Sequence, residues 1–242
     1  MTITQDDPIL TTLKKGDINI QGEFLWGSNY TFSVQIKYKD DTLPGVYKPT
    51  RGERPLWDFP RASLARREVA AYLVSEALGW NFVPPTVYRK DGPAGAGSVQ
   101  LFIDHDSECN YFSITESKRQ RLKPVALFDL VINNADRKGS HILFDAQDKL
   151  WLIDHGICFH KDYKLRTVIW DFAGESIPGD LCTALSDFRH RLVSDSALIA
   201  ALSEQINQSE IDALARRIER LLISGSYPDP HPSRRPYPWP PV

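Results

Sequence analysis

The stretch DRKGSHILFDAQDKLWLIDHG, residues 136–156, reads as one β-hairpin with an acidic residue before each strand end. HILFD (141–145) and KLWLID (149–154) are strand-like, and Ala146, Gln147 and Asp148 form a polar turn between them. A short hairpin returns its own start and finish to one place. His141 and Asp154 therefore emerge together at the open end, with Asp136 five residues before His141. Phosphoryl-transfer sites need this arrangement: a carboxylate facing the attacking hydroxyl, and further ligands holding the metal on the nucleotide.

Upstream, residues to about 104 alternate strand-like stretches with Gly and Pro punctuation. GEFLWG (22–27), YTFSVQIKY (30–38) and PGVYKP (44–49) read as successive strands, and SVQLFID (98–104) as another. One helix interrupts them, from about Leu64 to Leu78, with Ser63 as N-cap and Gly79 as C-cap. On this helix Glu68 shares a stripe with Ala65, Val69, Tyr72 and Leu73, the face turned to the sheet. A carboxylate on a core-facing stripe is costly unless paired, so it predicts a cationic partner. Lys48, in the strand VYKP, is that partner; surface pairing with Arg66 or Arg67 is the alternative. The turn WGSNYTF (26–32) carries Gly27, Ser28 and Asn29, whose backbone N–H groups suit phosphate oxygens.

Downstream the pattern turns helical. PVALFDLVINN (124–134) is an amphipathic segment that delivers Asp136 from its C-terminal end. SEIDALARRIERLLISG (209–225) places Ile211, Leu214, Ile218, Leu221 and Leu222 at helical spacing, with Ser209 and Asp212 as a capping box and Gly225 as the stop. From Tyr227 the chain is dominated by proline, and a surface-hugging or disordered end is favoured over a docking peptide. The expected organisation is a β-rich first lobe (13–104), an α-rich second lobe opening with the acidic hairpin (105–226), and the Pro-rich tail (227–242).

Composition narrows the classes. A formal charge of −2 gives no reason to expect nucleic-acid binding. Three scattered cysteines without a CxxC pair, and no signal-peptide pattern, point to a reducing cytoplasm. No apolar run reaches the roughly 18 residues of a membrane span.

The order of these parts resembles the phosphatidylinositol 3-/4-kinase-like branch of the kinase superfamily. Type II phosphatidylinositol 4-kinases are a near likeness, as is a bacterial branch with similar NADRKGSH and IDHGICF motifs. The resemblance rests on VYKP, REVAAYLVSEALGWNFVPPTVY (67–88), NNADRKGSHILF (133–144) and LWLIDHGICF (150–159), and covers roughly residues 20 to 175. It implies an α+β, two-lobed protein-kinase-like fold that moves a phosphoryl group from ATP to a hydroxyl acceptor on a small molecule, protein or lipid. By position, it implies that Lys48 contacts the nucleotide phosphates, with Ser28 and Asn29 in the phosphate turn, and that Glu68 positions the lysine. Leu101, Phe102 and Ile103 become the interlobe hinge whose backbone binds adenine. Asp136 orients or deprotonates the acceptor, Arg137 holds Asp136 or the transferred phosphate, and Asp154 ligates magnesium.

The chain departs from the family pattern at His141, where most kinases of this fold have Asn. An imidazole accepts manganese or zinc more readily than magnesium. His141 is therefore expected to be a metal ligand beside Asp154 with altered metal preference, or to serve the acceptor or the structure. His155 replaces the Phe of the protein-kinase Asp-Phe-Gly. The palmitoylated cysteine cluster of type II lipid kinases is missing, and the only basic group fit for anionic lipid is Lys161, Lys164 and Arg166. The rival readings are a nucleotide-binding pseudokinase, an AMP transferase on the same fold, and a metal hydrolase built on Asp136, His141 and Asp154. A polar cluster of His105, Asp106, Glu108 and Cys109 has no standard zinc spacing.

Overall fold

Helix α1 (Pro8–Lys15) is the first element among the described residues, capped by the Asp7 side chain, which accepts from the Ile9 amide at 2.8 Å, and started by Pro8 in its first turn. The computed structural model describes residues 7–24 and 30–242. Five antiparallel strands follow: β1 (Asp17–Glu23), β2 (Phe32–Tyr38), β3 (Asp41–Pro49), β4 (Thr86–Gly92) and β5 (Gly95–Leu101). Their order in the sheet is β1-β2-β3-β5-β4. Period-two patterning drives β2, where Val34 and Ile36 are buried and Gln35 and Lys37 exposed. The Asp7-Pro8 pair, an acceptor side chain before a proline, is a local start signal for α1. The helix packs against four strands of the sheet, so a lobe boundary at residue 13 cuts through an element that belongs with them.

Helix α2 (Leu64–Ala77) has the expected bounds but a different start and a different burial. Ser63 occupies the cap position without capping: its hydroxyl donates to the Pro60 carbonyl. Glu53, from the loop after β3, instead accepts from the Ala65 amide at 2.9 Å. A single apolar stripe was expected, but the helix is buried over most of its circumference. One side meets the sheet through β4 and β5, and it also contacts α6 (Ser196–Ser203). Arg67 goes to that second side, donating to Glu210 at 2.6 Å and to the Cys158 carbonyl at 2.6 Å. Arg66 stacks on Tyr88 and donates to the Glu204 carbonyl, so neither arginine competes for Glu68.

After β5 the chain becomes helical: α3 (Glu116–Gln120), α4 (Lys123–Ile132), α5 (Gly179–Ser194), α6 and α7 (Gln208–Ser224). Between α4 and α5 lies the short hairpin β6 (Ile142–Phe144) and β7 (Leu150–Leu152), antiparallel with Leu143 opposite Trp151. The α7 capping box is Asn207 with Glu210, two residues upstream of the Ser209–Asp212 pair expected from sequence. Gly225 does stop the helix, at φ +63° with its amide on the Leu221 carbonyl. The proline-dominated tail hugs the surface of this helical part, returning to residues 139, 163 and 167. No helix among the described residues is long and apolar enough to cross a membrane.

Candidate active site

Lys48 reaches across the molecule. Its neighbour Tyr47 is fully buried in the sheet, and alternation along β3 turns Lys48 to the opposite face. The ammonium lies 2.5 Å from Glu68 Oε1 and 3.2 Å from Asp154 Oδ1. Three distant segments, β3, α2 and the loop after β7, thus meet on one nitrogen. Burial by itself lowers the Lys48 pKa, but Asp154 and Glu68 outweigh it and hold the ammonium above the usual lysine range. Glu68 is only 3% exposed, and its second oxygen accepts from the His155 amide at 2.9 Å. The demand for a cation, read from the stripe, is met by Lys48.

Asp154 follows β7 in a left-handed conformation, φ +61°. This turn swings its carboxylate away from the strand direction, between Lys48 and His141. Asp154 Oδ2 is 3.3 Å from His141 Nε2, at the open end of the hairpin. Lys48 first, and His141 with His155 after it, keep the carboxyl well below the usual carboxylate range. Its side chain remains 48% exposed, so the carboxylate is open to solvent. His141 has its pKa lowered to about 4, by burial first and by Arg137 and Lys138 among its neighbours, so it is neutral near pH 7. Its Nδ1 accepts from the Lys138 amide at 3.4 Å, which leaves Nε2 carrying the proton toward Asp154.

Asp136 sits in the loop between α4 and the hairpin. Its amide donates to Asn134 Oδ1 at 2.9 Å, and the flanking Ala135 and Arg137 amides bond to the carbonyls of Ile157 and Arg166. The carboxyl is raised to about 6 by burial, opposed by Lys138, whose Nζ lies 3.9 Å away. Lys138 was missed from sequence, although two residues from a candidate base is where a counter-charge is most easily delivered.

Arg137 does not do what the sequence suggested. Both it and Asp129 are 0% exposed, and its Nε donates to both Asp129 oxygens at 3.1 Å. Nη1 donates to the carbonyls of His141 and Ile153, and Nη2 donates to His155 Nε2 at 2.8 Å. Its donors are committed inward, so it neither holds Asp136 nor faces a phosphate; it ties the two strands' ends together from beneath. Asp129 also accepts from Asn134 and from the Thr167 hydroxyl. A signal for Asp129 existed: it is the lone charge in the apolar helix PVALFDLVI, the argument that picked out Glu68.

The proposed hinge is partly spent. Leu101 and Phe102 give their amides to the carbonyls of Pro85 and Pro44, at 2.9 and 3.1 Å. Ile103 keeps an amide with no acceptor among the described residues, while its carbonyl contacts His105 Nδ1. Ser28 and Asn29 lie outside the described residues. Among those described, no group of three or more His, Cys, Asp or Glu residues is arranged to hold a metal, so neither the His105–Cys109 cluster nor an Asp136–His141–Asp154 trio forms such a site.

No family model matches the chain. It is 37% identical to Protein Rv2133c of Mycobacterium tuberculosis over 275 aligned positions, which cover 99% of this chain and 97% of that protein. It is 32% identical over 124 residues to phosphatidylinositol 4-kinase gamma 4 of Oryza sativa, a match covering 44% of this chain and 22% of the plant protein. In structure it is similar to the Golgi casein kinase crystallised with Mn/ADP bound: the TM-score is 0.59 at 17% identity, over 89% of this chain and 74% of that one. The architecture is therefore a two-lobed kinase-like fold, with the five-stranded sheet and α2 preceding the helical part.

Proposed function

Since the chain belongs to the same family as Protein Rv2133c, we propose, on the chemistry of its own residues, that it is an ATP-dependent phosphotransferase of the phosphatidylinositol 3-/4-kinase-like type. The observation that carries this reading is the convergence of Lys48, Glu68 and Asp154 at 2.5 and 3.2 Å, with Asp136 in the loop that leads into the same hairpin. A metal hydrolase has no use for a lysine held by a buried glutamate; a nucleotide phosphate does.

Glu68 keeps Lys48 charged and extended across the cleft, where it contacts the phosphates of ATP. Asp136, ionised above about pH 6, accepts the proton of the acceptor hydroxyl as the hydroxyl oxygen bonds to the γ-phosphorus and the bond from that phosphorus to the β,γ-bridging oxygen breaks, so that ADP leaves with the bridging oxygen. Lys138 offsets negative charge beside it. The Ile103 amide donates to adenine, with Leu101 and Phe102 shaping the hinge.

Asp154 and His141 fit a divalent cation in part: one open carboxylate and one neutral imidazole, with phosphate oxygens and water left to complete the shell. When bound, such a cation neutralises charge on the phosphates. His141 would serve through Nε2 only with its proton on Nδ1, in place of the Lys138 amide bond, and a nitrogen ligand there would favour manganese over magnesium. The acceptor is a small molecule, a protein or a lipid, in that order, and the three free cysteines suit a cytoplasmic setting.

The test is ATP labelled at the α- or γ-phosphate. The reading expects slow release of ADP without acceptor and transfer of the γ-label alone; release of pyrophosphate with transfer of the α-label would replace it with AMP transfer. ATP binding with no turnover under magnesium or manganese, across candidate acceptors, would make the chain a pseudokinase.

A further inference from the structure

The segment 228–242, rich in proline, lies along the loop that carries Asp136. Proline removes backbone donors and leaves carbonyls, so such a segment is an acceptor ribbon. Two of its carbonyls are used in this way. Pro241 accepts from the Gly139 amide at 2.8 Å. Pro236 accepts from the Thr167 amide at 3.0 Å and from Trp170 Nε1 at 3.3 Å. A third anchor runs the other way, from Arg234 Nη1 to the Tyr163 carbonyl at 2.6 Å.

The two amides are not incidental. Gly139 is three residues after Asp136 and buried, its carbonyl accepts from the Tyr111 amide, and a Cβ added there would come within 2.9 Å of the Phe112 ring. Thr167 pairs with Arg137 in a parallel bridge, and its hydroxyl bonds to Asp129. Without the segment, the amides of Gly139 and Thr167, beside the Asp136 loop, would lose these acceptors. The segment also closes one wall of a cavity of about 410 Å³ with Phe112 and Val168.

We propose that residues 228–242 are a strap that positions the Asp136 loop for transfer, a role that rests on the phosphotransferase reading above. The strap acts on Asp136 through Gly139 and Thr167 and does not touch the nucleotide residues Lys48, Glu68 or Asp154.

The test uses the full chain with two anchors removed, Trp170→Phe together with Arg234→Ala. Amide hydrogen exchange at Gly139 and Thr167 is expected to accelerate at least about tenfold. The kcat for ADP release should fall by roughly tenfold to a hundredfold, while KM for ATP stays within about threefold. The single variant Trp170→Phe should fall between the two. Unchanged exchange at Gly139 and Thr167 would overturn the strap, as would faster exchange with full kcat, or equal losses in kcat and ATP affinity. Absence of ADP release from the unaltered chain would overturn the phosphotransferase reading itself, while the exchange measurement would still report whether the strap is bound.

Discussion

His141 Nε2 stands 3.3 Å from Asp154 Oδ2 at the open end of the hairpin, and the Lys138 amide on Nδ1 directs the imidazole proton toward that carboxylate. The residue that departs from the pattern expected from sequence is thus in place beside the carboxylate proposed to ligate the metal. If it joins the metal shell, the nitrogen should set metal preference. Turnover with manganese is expected to exceed turnover with magnesium, and His141→Asn, which offers an oxygen, should shift the ratio toward magnesium by about tenfold. ADP release measured across both metals checks this; an unchanged ratio would leave His141 as a holder of Asp154 only.

Glu68 ties Lys48 to the His155 amide. Glu68→Gln keeps the shape and removes the charge, so Lys48 drifts to Asp154 and away from the phosphates. The expected loss in kcat/KM for ATP is roughly tenfold to a hundredfold, about 1.4–2.7 kcal/mol of transition-state stabilisation. Steady-state kinetics against ATP concentration decides it, and a variant with wild-type kcat/KM would remove Glu68 from the mechanism.

Asp136 has its carboxyl raised to about 6, so the base is protonated and idle below that pH. The rate at low ATP should climb tenfold per pH unit below about 6 and level above it. Asp136→Asn should abolish the climb and lower kcat by about 10² to 10⁴. The stability sign is opposite: a carboxyl whose folded pKa exceeds its unfolded value destabilises the fold once ionised. The asparagine variant should therefore melt roughly 2–4 °C higher at pH 8 and no higher at pH 4.

Arg137 and Asp129 form a pair with no exposed surface. Arg137→Ala would strand a buried carboxylate, costing about 3–5 kcal/mol, and Arg137→Lys should recover little because one ammonium cannot match the forked contacts. Urea midpoints give the stability change. Activity should decline in step with unfolding; a well-folded Arg137→Ala chain lacking only activity would return the arginine to a role at the phosphate.

Legibility followed the range of the forces involved. The hairpin was readable because strand alternation and a polar turn are local, and its closure brings His141 and Asp154 together by geometry alone. Glu68 was readable because a charge on a helix stripe must be paired wherever the chain goes. Asp129, the lone charge of PVALFDLVI, carries the same pairing demand, and Arg137 meets it. Ser63 is the N-cap of α2 as its local sequence indicates, but the side-chain acceptor for the first turn comes from Glu53, in a loop ten residues upstream, which no local pattern announces.

The sequence by itself determined the acidic hairpin, the pairing demand of Glu68 and the stop at Gly225, each set by periodicity, buried charge or a glycine free to adopt positive φ. Only the tertiary structure decided that Arg137 turns inward, that Ile103 rather than Leu101 or Phe102 keeps an amide with no acceptor among the described residues, and that proline carbonyls from residues 236 and 241 accept from amides beside Asp136. Those outcomes depend on which backbone carbonyls lie near which donors after packing. Every residue carries a carbonyl, so no residue type announces it.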